Sequence, residues 1–413
     1  MATGSLAILL WGFFFDALSR TARWVLDTRY SPFLGPSHDL YIHYRSAGLA
    51  WHHRPLYRFG ALAFSNPPIA AYLFLPFHAI GFRATMTVWT VGNLVCLAGV
   101  FAIALWRFFS VRPADAWLAA SAGLAPAAVI ALYPFHSLLV WGQLALALLT
   151  LVFVDLFLVP ARYRGLLIGA AAAIKFLPAL FVVWLLVRRE FGAVARVAAA
   201  FLVLTAAAAL AWPHASIEYF VHILPTNKAL LLAVDPSRIA ITAHTWIFGV
   251  GRLPNQSLRG MLGRPPFLFF GTFPWILLAI AVLAVGIWAT VRLLAQRRDL
   301  TAFVTLMVVT MLASPVSWLH YWVFVALAPL VAVLEWRRDR ALAVAAIALT
   351  LSTMANLEDL RLISVGFTSM SPVALFVVRN LYVLGALAFV CTAAARARRG
   401  VVAHEHAELP VMP

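Results

Sequence analysis

Residues 83–107 read RATMTVWTVGNLVCLAGVFAIALWR, and between the two arginines the run carries no charged side chain. Its length falls within the roughly 17–25 residues that a helix needs to cross a hydrocarbon core. It is one of many such runs. Further apolar stretches occupy residues 114–134, 138–159, 165–174, 177–187, 192–212, 267–291, 300–316, 319–334, 341–355 and 372–395. The composition agrees, with 64% hydrophobic and 11% charged residues and a mean hydropathy of +0.92. These values point to an integral, all-α polytopic membrane protein, in which each spanning backbone satisfies its own hydrogen bonds as helix.

Residues 4–24 are expected to form a first span, with Arg20 and Arg23 snorkelling to an interface. No basic segment precedes this run and no small-residue cleavage site follows, so a removed signal peptide is not expected. Counting it gives about twelve transmembrane helices. With the N-terminus inside, alternation puts Arg107/Arg112, Arg162/Arg164, Arg188/Arg189/Arg196, Arg292/Arg297/Arg298, Arg337/Arg338/Arg340 and Arg396/Arg398/Arg399 all on the cytoplasmic side. That is where short loops accumulate Arg and Lys. Both termini then lie inside. A single transmembrane domain over 1–400 is expected, with a disordered cytoplasmic tail at 401–413. Residues 165–187 form two stubs around Lys175 and Pro178, each too short to cross alone.

Two long segments, 25–82 and 213–266, fall outside the membrane, the first being a long first extracytoplasmic loop. Every histidine except His404 and His406 lies on these segments or at outer helix ends, so function belongs to the outer face of the plasma membrane. The densest chemistry is Ser37-His38-Asp39-Leu40-Tyr41 with His43, Tyr44 and Arg45 close behind. One reading makes Ser37 or Asp39 the N-cap of a short helix running to about His53. The other makes Asp39 a carboxylate base for an acceptor hydroxyl, near the membrane and tethered.

Lys175, inside an apolar stretch, either faces a cavity or snorkels to the interface. Arg379, eight residues into the last stretch, raises the same question. His320 starts an outer helix, where it could meet an anion or serve as an interfacial hydrogen-bonded histidine. Gln143, Asn255 and Gln256 offer neutral groups suited to sugar hydroxyls. Trp51, Tyr57, Trp212, Tyr219 and Trp246 could stack on sugar faces or form an aromatic belt.

Several classes are disfavoured. The net charge of +16 is spread over many inner loops and forms no single patch of the kind nucleic acid would need. His52-His53 and His404-Glu405-His406 lack the spacing of a zinc site, so no metal is expected. No phosphate-cradling glycine loop or serine-nucleophile elbow occurs. Cys96 and Cys391 lie far apart in apolar segments and are not expected to pair.

The ordered set formed by the Asp39 loop, Pro67-Pro68, Gly142-Gln143, Ala173-Ile174-Lys175-Phe176-Leu177-Pro178, Asn255-Gln256-Ser257-Leu258 with Gly260, and Ser314-Pro315-Val316-Ser317-Trp318 with His320 resembles a known family. This is the actinobacterial polyprenol-phosphate-sugar-dependent glycosyltransferases, family 87 of the C-type membrane (GT-C) fold. It includes mannosyltransferases of phosphatidylinositol mannosides and lipoarabinomannan. The resemblance runs from about residue 37 to 320. It implies a polyprenyl-phosphate-sugar donor, a glycolipid or lipoglycan acceptor, membrane lipids as surroundings, inverting transfer and no cofactor.

The resemblance also implies that Asp39 is the catalytic base and that His320 lies near the donor phosphate. Substrate contacts are expected from Lys175, Arg45, Gln143, Asn255, Gln256, Arg379 and Tyr57. Leu319, Tyr321 and Asn66 depart from the residues many relatives carry, which bears on the acceptor. The resulting expectation is mannose transfer in an alpha-1,2-type linkage. A polyprenyl-phosphate-arabinofuranose donor and, in another class, a lipid-sugar flippase are the alternatives; the chain has no internal repeat of the kind a flippase would favour.

Overall fold

The computed structural model of the protein describes residues 38–57, 64–224, 253–267, 272–357 and 371–407, and of residues 38, 272 and 399–407 only the backbone. The expected first span at 4–24, Ser37, Trp246 and residues 408–413 of the tail lie outside the described residues. Among the described residues the chain is helical, and the one extended pairing is an isolated antiparallel bridge between Asn255 and Trp318.

In chain order the helices are α1 (His38–Trp51), α2 (Pro68–Leu73), α3 (Leu75–Ala79) and α4 (Phe82–Phe109), followed by α5 (Pro113–Ala131). Next come α6 (Tyr133–Trp141), α7 (Ala145–Phe157), α8 (Leu166–Ile174), a 3-10 turn at Leu177–Phe181 with α9 (Val182–Val187), α10 (Phe191–Ala211) and α11 (Pro213–Ile217). The remainder are α12 (Leu258–Leu262), α13 (Thr272–Ala295), α14 (Asp299–Ala313), a 3-10 helix at Leu319–Leu327 with α15 (Ala328–Glu335), α16 (Arg340–Ser352), α17 (Pro372–Arg379) and α18 (Leu381–Ala407).

Five of these are long and apolar enough to cross a membrane, six if α6 and α7 count as one broken span. Their outward side chains are apolar and uncovered, among them Leu202, Val203, Leu210, Leu277 and Ile280. Lipid tails are as apolar as leucine, so such a surface suits a bilayer. The other expected spans are short. In α14 nearly every side chain from Leu300 to Leu312 is buried, as a helix apolar on all sides requires when it sits at the centre of its unit.

The stretch at 138–159 does not form one helix. It breaks after Trp141, where Gly142 takes φ +68°, and α7 leaves at 113° to α6. The break anticipated at 165–187 is present. Here α8 ends at Ile174, Lys175 is extended (φ −157°, ψ 127°), and Pro178 enters the 3-10 turn. The last stretch is also interrupted, with Asn380 outside helical geometry (φ −123°, ψ 23°).

The chain divides into two compact units, the described residues within Met1–Ile130 and Phe135–Trp246, and those within Ala131–Pro134 and Ile247–Pro413. In the first, α8 and α10 touch backbone to backbone. A Cβ on Gly165 would lie 2.2 Å from the Ala193 carbonyl oxygen, and one on Gly169 2.4 Å from that of Val197. Small residues permit this approach. The fully buried Asp155 accepts the amide hydrogens of Gly165 and Ile168 at 2.7 Å each. It thereby satisfies donors at the start of α8 that would otherwise be orphaned. In the second unit Glu335, 1% exposed, accepts from Arg298 at 2.6 Å and from Thr301 at 2.6 Å.

Candidate active site

Asp39 lies in the first turn of α1, where a carboxylate is favoured by the helix dipole. The helix already includes His38, so Asp39 is not its cap residue. The side chain is half-buried and is held from α6. Gln143 donates from Nε2 to Asp39 Oδ2, and three features bring it there. Gly142 adopts the left-handed conformation that ends α6. The Gln143 amide returns to the Leu138 carbonyl at 3.0 Å, closing the helix as a glycine C-cap does. A Cβ on Gly142 would meet Leu40 Cβ at 2.5 Å, so the missing side chain lets the two backbones approach. Gln143 itself is 7% exposed, its amide turned inward onto the carboxylate.

One turn further along α1, His43 is 4% exposed. Its ring stacks on Phe74 (4.9 Å, 19°) and meets Phe64 edge-on at 5.7 Å. Burial, and secondarily the positive charge of Lys175, push its pKa down to about 3, so the imidazole is neutral. The flanking residues of Lys175, Ile174 and Phe176, pack against the cluster that contains Ala50, Tyr57, Phe64 and Trp212, which turns the α8 break toward α1. Gly48 allows the same helix to lie against the His78 ring, 2.6 Å from a notional Cβ. Arg45 is exposed on α1. Tyr57 is buried, donates to the Asn66 carbonyl at 2.8 Å and stacks on Tyr219 at 5.6 Å. Burial raises its hydroxyl pKa far above the ordinary value.

The remaining expected residues belong to the second unit. There the Asn255-Gln256-Ser257 turn clasps the Pro315–Trp318 segment. Gln256 N–H donates to the Ser317 carbonyl at 2.8 Å, and Ser317 N–H donates to Asn255 Oδ1 at 2.9 Å. Ser257 caps α12 by accepting from Gly260 N–H at 3.0 Å. A Cβ on Gly260 would fall 2.1 Å from the Asn255 carbonyl oxygen. Gln256 Nε2 donates to the carbonyls of Leu253 (2.8 Å) and Arg379 (2.9 Å). Asn255 and Gln256 are fully buried, and these bonds hold the turn.

His320, 6% exposed, opens the 3-10 helix that follows the clasped segment and sets its ring edge-on to Tyr321 at 4.7 Å. Arg379 is half-buried at the end of α17, and its carbonyl also receives Arg264 at 3.0 Å. Arg264, which the sequence reading did not single out, is 3% exposed. It donates further to the carbonyl of Asn255 and to Asn380 Oδ1. Burial and the nearby Arg379 charge lower its pKa to about 9. An arginine four residues past Gly260 on an outer segment was the only available signal.

Asp39, Gln143, Lys175 and Tyr57 thus fall in one unit and His320, Asn255, Gln256 and Arg379 in the other. Among the described residues no group of three or more His, Cys, Asp or Glu could hold a metal ion.

Comparison with known proteins gives this arrangement a setting. Over 353 residues, 76% of this chain and 75% of the relative, it is 34% identical to the polyprenol-phosphate-mannose-dependent alpha-(1-2)-phosphatidylinositol mannoside mannosyltransferase of Mycolicibacterium smegmatis. The Mycobacterium tuberculosis protein of the same description is 34% identical over 322 residues, 71% of this chain and 70% of that one. A polyprenol-phosphate-mannose-dependent alpha-(1-2)-phosphatidylinositol pentamannoside mannosyltransferase of M. smegmatis is 28% identical over 268 residues, 64% of this chain and 59% of its own. No solved structure matches. The profile of glycosyltransferase family 87 matches residues 64–315, a span that contains Gln143, Lys175, Asn255 and Gln256 and stops short of Asp39 and His320 at either end. On this match and these identities the chain is a glycosyltransferase and belongs to glycosyltransferase family 87.

Proposed function

We propose that this chain transfers mannose from polyprenyl-phosphate-mannose to a phosphatidylinositol mannoside, with inversion at the sugar carbon and formation of an alpha-1,2 linkage. The activities of the two 34% identical relatives support donor and acceptor. In this reading the chain crosses the plasma membrane about twelve times with both termini inside. The active site faces outward, in keeping with the confinement of basic clusters to alternate loops.

The observation that carries the mechanism is the Gln143–Asp39 bond. A carboxylate held in one rotamer at a helix start suits proton removal from a sugar hydroxyl, which needs a positioned base more than a strong one. Asp39 takes the proton of the acceptor hydroxyl, the oxygen attacks the anomeric carbon from the face opposite the phosphate, and polyprenyl phosphate leaves. Phosphate is a good leaving group, so a cationic group, with Lys175 in that role, stabilises its developing charge. No resident cofactor is required.

The test is transfer by purified protein given polyprenyl-phosphate-mannose and polyprenyl-phosphate-arabinofuranose separately, each with phosphatidylinositol mannoside and arabinan acceptors. Mannose should move to the mannoside. Arabinose transfer alone would overturn the donor, and transfer of neither sugar would overturn the reading.

A further inference from the structure

Among the described residues of this unit, one buried group that the mechanism leaves unused is His43. It follows Asp39 by four residues on α1, which puts both on one face of the helix with Cβ atoms about 5–6 Å apart. Helical side chains lean toward the N-terminus and cover the preceding turn. The His43 ring is therefore directed under Asp39.

Its surroundings are aromatic on two sides, Phe74 stacked and Phe64 edge-on. The ring is 4% exposed, and its Nδ1 has no hydrogen-bond partner. A buried polar atom left unsatisfied costs about 1–3 kcal/mol and calls for an explanation. Packing alone gives none, because phenylalanine would fill the same space without that cost. Burial, and secondarily the positive charge of Lys175, oppose a second proton on the ring. The neutral ring keeps one donor and one acceptor nitrogen, the pair of functions a sugar hydroxyl also carries.

We propose that His43 is an acceptor-binding residue, whose Nδ1 is satisfied by a hydroxyl of the acceptor sugar adjoining the hydroxyl that Asp39 deprotonates. Two side chains one turn apart on the same helix face can converge on adjoining hydroxyls of a single pyranose ring. His43 thus fixes which hydroxyl faces the base, and its role is orientation rather than proton transfer. The inference rests on the assignment of the acceptor to the Asp39 side of the protein.

The experiment measures equilibrium binding of a phosphatidylinositol mannoside to the purified full chain in detergent, with turnover in parallel, for wild type, His43→Phe and His43→Asn. Phenylalanine keeps the stack and removes the polar atom, while asparagine places a polar atom near the position of Nδ1. His43→Phe should weaken acceptor binding and raise the acceptor KM by roughly tenfold, leaving the KM for the lipid-phosphate donor unchanged. His43→Asn should recover most of the loss. Undiminished acceptor binding by His43→Phe, or an equal rise in both KM values, would overturn the inference alone. Failure of the wild-type chain to bind the mannoside would overturn the functional reading and this inference with it.

Discussion

Replacing Gly142 by alanine tests how the site is built. The added Cβ would meet Leu40 Cβ at 2.5 Å and the Leu40 side-chain carbons Cγ and Cδ2 at 3.4 Å each. Carbon atoms prefer separations of about 3.5–4.0 Å, so α1 and the end of α6 must part by roughly 1 Å. Alanine in the left-handed region, here φ +68°, costs a further 1–2 kcal/mol or so. Overpacking adds about 1–3 kcal/mol, for a total near 2–5 kcal/mol. The displaced atoms adjoin Asp39 and Gln143, and a misplacement of about 1 Å can cost on the order of a hundredfold in rate.

Thermal unfolding in detergent and mannosyl transfer at saturating donor measure the two effects. Gly92→Ala is the control, since a Cβ there meets nothing within 4 Å and alanine in a helix should be neutral or stabilising by up to about 1 kcal/mol. Leu40→Ala should not rescue Gly142→Ala, because the nearest atom is the Cβ that alanine retains. A Gly142→Ala protein with wild-type melting and a rate within about twofold would refute the close-approach argument.

Two further outcomes follow from buried groups. Arg264→Met strips donors from the carbonyls of Asn255 and Arg379 and from Asn380 Oδ1, and should destabilise the protein by about 2–4 kcal/mol; a melting temperature equal to wild type would show that the clasp does not depend on it. For His43 the folded pKa is lowered from 6.5 to about 3. The unfolded chain binds a proton there as pH falls through 6.5, whereas the folded chain does not until about 3. Stability should therefore drop over that window by up to about 1.4 kcal/mol per pH unit. His43→Phe should flatten this part of the stability profile, and an unchanged slope would contradict the buried neutral imidazole.

Much of the scaffold is legible in the sequence because each long apolar stretch within the described residues becomes helix. The α8 break is legible too. A lysine and a proline inside an apolar run cannot both be accommodated in an unbroken span. The break at Gly142 is not, since glycine is tolerated in spans and the residue it approaches, Leu40, is distant in the sequence. Apolar runs mark burial in protein as readily as burial in lipid, and the α14 side chains from Leu300 to Leu312 are buried. The Arg264 to Asn380 contact joins residues 116 apart, so nothing local announces it. Asp39 stands out by its chemistry, whereas its partner is identified only when the helices pack.

The most direct test of the central claim is a comparison of wild type with Asp39→Asn, using purified protein, polyprenyl-phosphate-mannose and a phosphatidylinositol mannoside. The amide keeps the shape of the side chain and cannot take the proton. Turnover should fall by at least about a hundredfold, with melting temperature and donor binding preserved. Substantial mannosyl transfer by a well-folded Asp39→Asn protein would remove Asp39 from the role of base.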